Sequence, residues 1–204
     1  SDYEIIVFDV NSSDKTSDIV EKVTAKNKKI RLIHNEKTMG FGYNYRKGVE
    51  LARLEYISMI PGDDEISADS IDQMYRAIGK ADIVVPYTLN YRARPLLRRF
   101  ISFTFTKMLN FLFNQKLNYY NGPVIHRRQL IRSVALSTNS FAFQAEALVK
   151  LIKSGYSYKQ VGMLLKERRY GRSKAFRIKN ILGVLKTIVT LFIEVYLIKK
   201  TRLT

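Results

Sequence analysis

The chain has no cysteine, only two histidines (His34 and His126), and no aspartate after Asp82. Without cysteine there can be no disulfide and no thiolate metal site, which fits a reducing compartment. Two imidazoles are too few for a histidine-based metal centre. The missing aspartates belong to a wider asymmetry. Residues 1–82 carry 12 Lys+Arg against 15 Asp+Glu, a balance of −3, whereas residues 83–204 carry 23 against three (Glu146, Glu167 and Glu194), a balance of +20. Such a split predicts a polyanionic partner for the second half: nucleic acid, an anionic membrane, or phosphate groups. No initiator methionine or targeting segment opens the sequence. It enters "YEIIVFDV", a strand-like run, almost at once, and the expectation is that its start is missing.

What is present supports one sizeable core: 204 residues, 46% of them hydrophobic. The first half alternates two periodicities. Strands are predicted at 4–8, 30–34, 56–60 and 82–87, and helices at 16–26, 43–53 and 67–80. Thr16 or Ser17 is the expected cap of the first helix, and Ser67 or Asp69 that of the third. Strand and helix alternating at this spacing predict βαβ units, hence an α/β fold with a mostly parallel sheet and flanking helices. Ligands of such sheets sit at the carboxyl ends of strands, where Asp9 and Asp63 fall.

The second half reads differently. Residues 88–97 form a basic loop between the halves. In 98–116, the polar residues Arg99, Ser102, Thr106, Lys107, Asn110 and Asn114 recur at steps of three and four among phenylalanines and leucines. In 179–200, Lys179, Gly183, Lys186, Thr187, Thr190 and Glu194 form one stripe in an otherwise apolar run. Both segments are expected to be amphipathic helices lying in a membrane interface. For the second, a packed or oligomer-interface helix and a spanning helix remain alternatives, the last disfavoured by Lys186 and Glu194. No repeat or low-complexity tract interrupts the chain.

The segment "PGDDE" (61–65) follows a strand. Two carboxylates at Asp63 and Glu65, spaced i and i+2 on extended backbone, can face the same way and offer hard oxygens to a divalent cation. A solvated acidic turn is the plain alternative for three adjacent acids. For the arginines at 98 and 99 the plain alternative is the basic start of an amphipathic helix, and for "ERRYGRSK" a solvated basic loop.

The order "IIVFDVNSSDKT … NEKTMGFGYNYRKG … ISMIPGDDE … RRFIS … YYNGPVIHRR … FAFQAEAL … ERRYGRSK" resembles family 2 glycosyltransferases of the GT-A fold. The nearest branch is the polyprenol-phosphate glycosyltransferases, similar to dolichol-phosphate mannosyl synthase. The resemblance implies that Asp9, Ser12, Asp14 and Thr16 match a segment whose acids contact the nucleotide, with Val10 in place of its second acid. It matches Gly40, Gly42, Arg46 and Gly48 to a glycine-bearing segment beside the nucleotide. It puts "PGDDE" at the metal motif, with Pro61 in place of the first acid and Glu65 in place of a glutamine. Asp63 and Glu65 are then ligands of Mg²⁺ or Mn²⁺. Arg98 and Ser102, with Arg92 or Arg94, match the lipid-phosphate contacts. Arg168, Ser173 and Lys174 fall near the donor diphosphate or the acceptor phosphate. Glu146 matches an acid expected in a buried ion pair. The family's first strand, central in its sheet, precedes the point where this sequence begins.

The resemblance implies a GT-A-like domain over 1–175, including the amphipathic helix at 98–116, followed by a membrane-associated helix over 176–204. It implies inverting transfer from a nucleotide-diphospho-sugar to a polyprenyl phosphate at the cytoplasmic face of a membrane, bound peripherally or monotopically to an anionic surface. Nucleic acid is not an expected partner; a homo-oligomer is left open. A phosphate acceptor, with a second pKa of about 6, arrives ionised and needs cations rather than a general base, which suits a second half without aspartate. The alternatives are transfer to a glycan hydroxyl with Glu146 as base, a basic nucleic-acid-binding protein, and an inactive remnant.

Overall fold

The computed structural model describes residues 2–10, 12, 15–166 and 178–198. β1 (Ile5–Asp9), α1 (Thr16–Lys26) and β2 (Ile30–His34) form a parallel βαβ unit, with Ile5 opposite Ile30 and Asp9 opposite His34. Then come α2 (Phe41–Leu51), β3 (Tyr56–Ser58), α3 (Ala68–Tyr75), β4 (Ile83–Thr88), α4 (Leu96–Phe113), β5 (Ile125–Arg127), α5 (Arg128–Ser133), α6 (Phe143–Lys153), β6 (Tyr158–Met163) and α7 (Ile178–Ile193). A π-helical turn, Glu194–Ile198, continues α7. Every strand and helix expected in the first half is present. Ser67 caps α3 by accepting from the Ser70 amide. The expected cap of α1 is corrected: Lys15 holds that position without a side-chain bond, and Ser17 donates to Asp9 instead.

The α/β class stands, with one addition to the sheet. β1 and β2 form one ladder, and β3–β5–β4–β6 form a second. β4 and β6 run parallel, whereas β5 runs antiparallel to both neighbours. At three residues, β5 is too short to show a period in sequence. It enters the sheet after α4 and the loop that follows have carried the chain back.

The core lies between this second sheet and α6. Ile83, Val85, Leu109, Phe113, Leu117, Tyr120, Leu148 and Leu151 are all buried there. Part of the basic surplus is structural. Arg31 donates to the Leu51 carbonyl, Arg128 to those of Ala52 and Leu54, and Arg132 to those of Val49 and Glu50. Three guanidinium groups thus satisfy the orphan carbonyls at the end of α2 and face its negative dipole end.

Part of each polar stripe of α4 and α7 faces the protein, while Lys107, Asn114, Lys179 and Lys186 are exposed. On α4, Thr106 is buried and Asn110 bonds both the Leu117 backbone and the Tyr120 hydroxyl. On α7, Thr187 is buried against Thr138 and Ser140, and Glu194 pairs with Lys150 at 2.7 Å. The apolar residues Leu96, Leu97, Phe100, Phe103 and Phe111 of α4, and Ile178, Leu182, Leu185 and Val189 of α7, are exposed. Ile178–Leu197 is long and apolar enough to cross a membrane by length and composition. Both helices bury some apolar residues (Leu109 and Phe113 of α4, Ile188 and Leu191 of α7) and also leave a broad apolar surface outward, where a water-facing helix is polar.

Candidate functional site

The chain leaves β3 through Pro61 and Gly62 and turns at Asp64, whose φ of 52° is left-handed, a conformation aspartate tolerates better than most residues. That turn separates the three acids. Asp64 is exposed and its carboxylate meets Lys166 Nζ at 2.9 Å. Asp63 is half-buried, and its Oδ1 accepts from the Glu65 amide at 3.3 Å. Glu65 is nearly buried, and its carboxylate faces the fork of Arg98, with Nη1 to Oε1 and Nη2 to Oε2 both 3.5 Å. The loop is pinned from behind by the segment leaving β6. Lys166 N donates to Glu65 O at 2.7 Å, Ile66 bridges Leu165, and Asn90 holds Leu165 at both its amide and its carbonyl.

Among the described residues no three His, Cys, Asp or Glu side chains cluster as metal ligands. The acid loop offers two carboxylates close together in sequence, Asp63 and Glu65. Mg²⁺ or Mn²⁺ commonly takes one or two carboxylates from the protein and fills the other positions with phosphate oxygens and water.

Arg98 and Ser102 lie one turn apart on α4. Arg94, just before the helix, donates to the Tyr119 hydroxyl at 3.1 Å and stacks on its ring at 5.4 Å. Its neighbour Arg99 lies over the Tyr91 ring, and Tyr91 donates to the Arg99 carbonyl. Arg92 is exposed. Of the cations expected at the acceptor phosphate, Arg98 meets the acid loop, Arg94 turns to Tyr119 and Arg92 faces solvent. Asp14, Arg168, Ser173 and Lys174 lie outside the described residues.

The glycine segment packs against the chain's own backbone. A Cβ on Gly40 would stand 2.3 Å from the Asn139 carbonyl oxygen, and one on Gly42 2.0 Å from that of Thr138. Gly40 also has a φ of 98°. These glycines admit the chain's own backbone at residues 138–139. Arg46 fixes the same loop through the Thr138 carbonyl at 2.6 Å and the Asn139 side chain. Glu146 holds the loop from the other side. It accepts from the Ser137 amide and hydroxyl, the Thr138 amide and Lys150. Burial pushes the Glu146 carboxyl up, but Lys150 and the two amides outweigh it, and the net direction is downward. A buried, ion-paired, fully bonded carboxylate is a poor proton acceptor.

Asp9 closes the β1–α1 loop. It is buried, and it accepts from the Ser12 hydroxyl, from the Ser12 amide at 3.4 Å and from the Ser17 hydroxyl at 2.7 Å. Ser12, then Ser17, hold its carboxyl below the usual range. Its partner across the ladder, His34, places Nδ1 at 3.7 Å. The other histidine, His126, is fully buried in β5, and burial pushes its imidazole down to about 4 despite a contact with Gln144.

Several residues that shape these sites carried no signal in the sequence: Lys166, Asn90, Tyr119 and Asn139. Each acts across the fold, as Lys166 does on Asp64 from 102 residues away, and no local spacing marks such a pair.

The fold matches glucosyl-3-phosphoglycerate synthase of Mycobacterium tuberculosis, crystallised with Mn²⁺, UDP and phosphoglyceric acid, at a TM-score of 0.60 and 14% identity over 94% of this chain and 67% of that one. A second mycobacterial crystal structure matches at 0.66 and 17% identity, over 92% of this chain and 64% of that one. In sequence, EpsH of Bacillus subtilis, named as a glycosyltransferase, is 30% identical over 145 residues. That alignment takes 66% of this chain and 41% of EpsH, so the chain spans about two fifths of that relative. A dolichyl-phosphate beta-glucosyltransferase of Trichomonas vaginalis is 33% identical over 76 residues, 37% of this chain and 23% of the relative. The family model for glycosyl transferase family 2 matches residues 1–140. With more than half of its length matched, this chain belongs to glycosyl transferase family 2.

Proposed function

We propose that the protein transfers a sugar, with inversion, from a nucleotide-diphospho-sugar to a polyprenyl phosphate at the cytoplasmic face of a membrane. The observation that carries this reading is the position of Arg98. It touches the acid loop through Glu65 at 3.5 Å, and it sits among Leu96, Leu97 and Phe100, which open the exposed apolar face of α4. A phosphate bound there would have its lipid tail alongside an apolar surface and its oxygens beside the donor. The match to a dolichyl-phosphate beta-glucosyltransferase supports the lipid acceptor. The Mn²⁺, UDP and phosphoglyceric acid held by the structural relative support a divalent ion and a phosphate-bearing partner.

In this reading Asp9, Ser12, Asp14, Gly40, Gly42 and Arg46 shape or line the nucleotide side, with Arg168 and Lys174 near the diphosphate. Asp63 and Glu65 would hold Mg²⁺ or Mn²⁺, which neutralises the leaving diphosphate. Arg94, Arg98, Ser102 and Ser173 hold the acceptor phosphate. One phosphate oxygen forms a bond to the anomeric carbon as the bond to the nucleotide diphosphate breaks. No proton has to be removed, because the phosphate is already ionised near neutral pH, with a second pKa of about 6. Glu146, saturated by its four donors, does not serve as a base. The outward apolar faces of α4 and α7, flanked by Arg99, Lys107 and Lys179, dock the protein on an anionic bilayer.

The test is incubation of the full-length protein with a panel of radiolabelled nucleotide sugars, a divalent ion and a polyprenyl phosphate. Label is expected in the organic phase with at least one donor, and to be lost in Asp63→Ala but less so in Asp64→Ala. Label that stays aqueous with every donor, or passes only to a glycan, would sink the lipid-phosphate reading.

A further inference from the structure

The hydroxyls of Thr138, Ser140 and Thr187 meet where α7 crosses the loop that leads into α6. Thr187 Oγ1 lies 2.7 Å from the Thr138 hydroxyl and 3.1 Å from that of Ser140. Thr138 also donates to Ser140 at 2.8 Å. Thr187 gives its own proton to the Gly183 carbonyl, one turn back, at 2.8 Å. A hydroxyl has one proton and two lone pairs, so Thr187 meets the loop as an acceptor. Gly183 lets the helix approach this closely, since a Cβ there would stand 3.3 Å from the Ser140 Cβ. Thr187 is buried in this contact.

Thr138 carries the contact to the other side of the loop. Its amide donates to Glu146 at 3.1 Å, and its carbonyl accepts from Arg46 at 2.6 Å. That carbonyl fills the space beside Gly42, and the Asn139 carbonyl fills the space beside Gly40. The Gly42 amide donates to the Asn139 carbonyl at 3.3 Å. From this turn the bonds run on to the end of the β1–β2 ladder. The Asn44 amide donates to the Gly40 carbonyl at 3.2 Å, Asn35 donates to the Asn44 side chain at 2.8 Å, and the Asn35 amide donates to the Asp9 carbonyl at 2.8 Å. Asp9 is the last residue of β1, and parallel strands present ligands at their carboxyl ends.

We infer that Thr187 of α7 is a positioning residue for the nucleotide: it fixes the rotation of Thr138, and so the backbone on which the Gly40–Gly42 turn rests. The inference rests on the proposed function, in which Gly40, Gly42 and Arg46 shape the nucleotide side. It makes α7, the helix with the apolar outer surface, part of the frame of the donor site. The helix does not depend on this one hydroxyl to stay on the body. Ile188 and Leu191 are buried beside it, and Glu194 pairs with Lys150 at 2.7 Å. Loss of the hydroxyl therefore loosens the loop and leaves the helix in place.

The test is calorimetric titration of the full chain with UDP, GDP, CDP, ADP and TDP in the presence of Mn²⁺. The unmodified protein is expected to bind at least one of them. Thr187→Val removes the hydroxyl and keeps the shape. It should weaken that nucleotide by about two- to tenfold, which is what one hydrogen bond contributes. Thr187→Ser keeps the hydroxyl and should restore the affinity. Thr190→Val, one turn further along α7, should leave it unchanged. Sedimentation with vesicles of phosphatidylcholine and phosphatidylserine should be the same for all four proteins, because the outer surface of α7 is intact in each.

Undiminished nucleotide affinity in Thr187→Val overturns the inference and leaves the proposed function standing. Equal weakening in Thr190→Val, no restoration in Thr187→Ser, or loss of vesicle binding together with the nucleotide also overturns it, because the effect then belongs to the helix as a whole. If the unmodified protein binds none of the five nucleotides, the nucleotide reading falls and this inference falls with it. Ser140→Ala removes a neighbouring hydroxyl of the same cluster and decides the matter if Thr187→Val does not fold. It should weaken the nucleotide over the same range, and an unchanged affinity overturns the inference.

Discussion

α6 and α7 are neighbours in space and opposites in what they bury. α6 carries Gln144, Glu146, Lys150 and Lys153, yet eight of its residues are buried, Gln144 and Glu146 among them. α7 is richer in isoleucine, leucine and valine, yet it buries three: Thr187, Ile188 and Leu191. The difference lies in partners. α6 packs into the core, and Glu146 finds four donors in the preceding loop (Ser137, Thr138) and in Lys150 one turn on. α7 meets the body through Gly183, Thr187 and Glu194 together with Ile188 and Leu191, which leaves much of its oily surface outside. Hydrophobicity says that a surface should leave water; it does not say whether the protein's own core or another apolar phase receives it.

Three experiments would break or sharpen this contrast. The largest effect is expected at Glu146. Glu146→Ala leaves two buried amides without acceptors and removes one of the two carboxylates on Lys150, at a cost of about 3–5 kcal/mol. For a chain of this length that is a fall in Tm on the order of 10 °C, read by calorimetry. A loss below about 1 kcal/mol would mean that α6 is held by its apolar residues alone.

The second concerns acid. The His126 imidazole is pushed down to about 4 by burial, whereas in the unfolded chain it titrates near 6.5. Between these values the unfolded chain binds the proton and the folded protein does not. The contribution is therefore complete above pH 6.5 and is lost as pH falls toward 4, by about 3 kcal/mol. Urea unfolding from pH 7 to 4 should show this limb, and His126→Gln should flatten it. Asp9 and Glu146, whose carboxyls are held low, take effect at lower pH. Equal acid loss in both proteins would rule out His126 as the cause.

The smallest effect on stability is expected on the outer face of α7. Leu182→Ser with Val189→Ser should change stability by about 0.5 kcal/mol or less per site, while Leu148→Ala in α6 should cost about 2–5 kcal/mol. The same double variant should sediment less with vesicles containing anionic lipid. If it unfolds readily and still binds vesicles, the outer face of α7 packs against protein, as in an oligomer.

Much of the fold was legible because it is local. The strand and helix alternation of residues 4–88, the Ser67 cap and the polar stripes of α4 and α7 all follow from repeats of two or 3.6 residues and from capping chemistry, which act within a few residues. The charge split and the missing aspartates pointed to phosphate and membrane chemistry for the same reason: composition needs no coordinates. Tertiary structure alone decided what those features face. It set Glu65 against Arg98, 33 residues on, and filled the space beside Gly40 and Gly42 with the 138–139 backbone. It also turned the stripe of α7 inward through Thr187, 49 residues from Thr138. A period shows which residues share a face, because backbone geometry repeats along the chain; which surface meets that face depends on contacts between distant segments, and those exist only once the chain has packed.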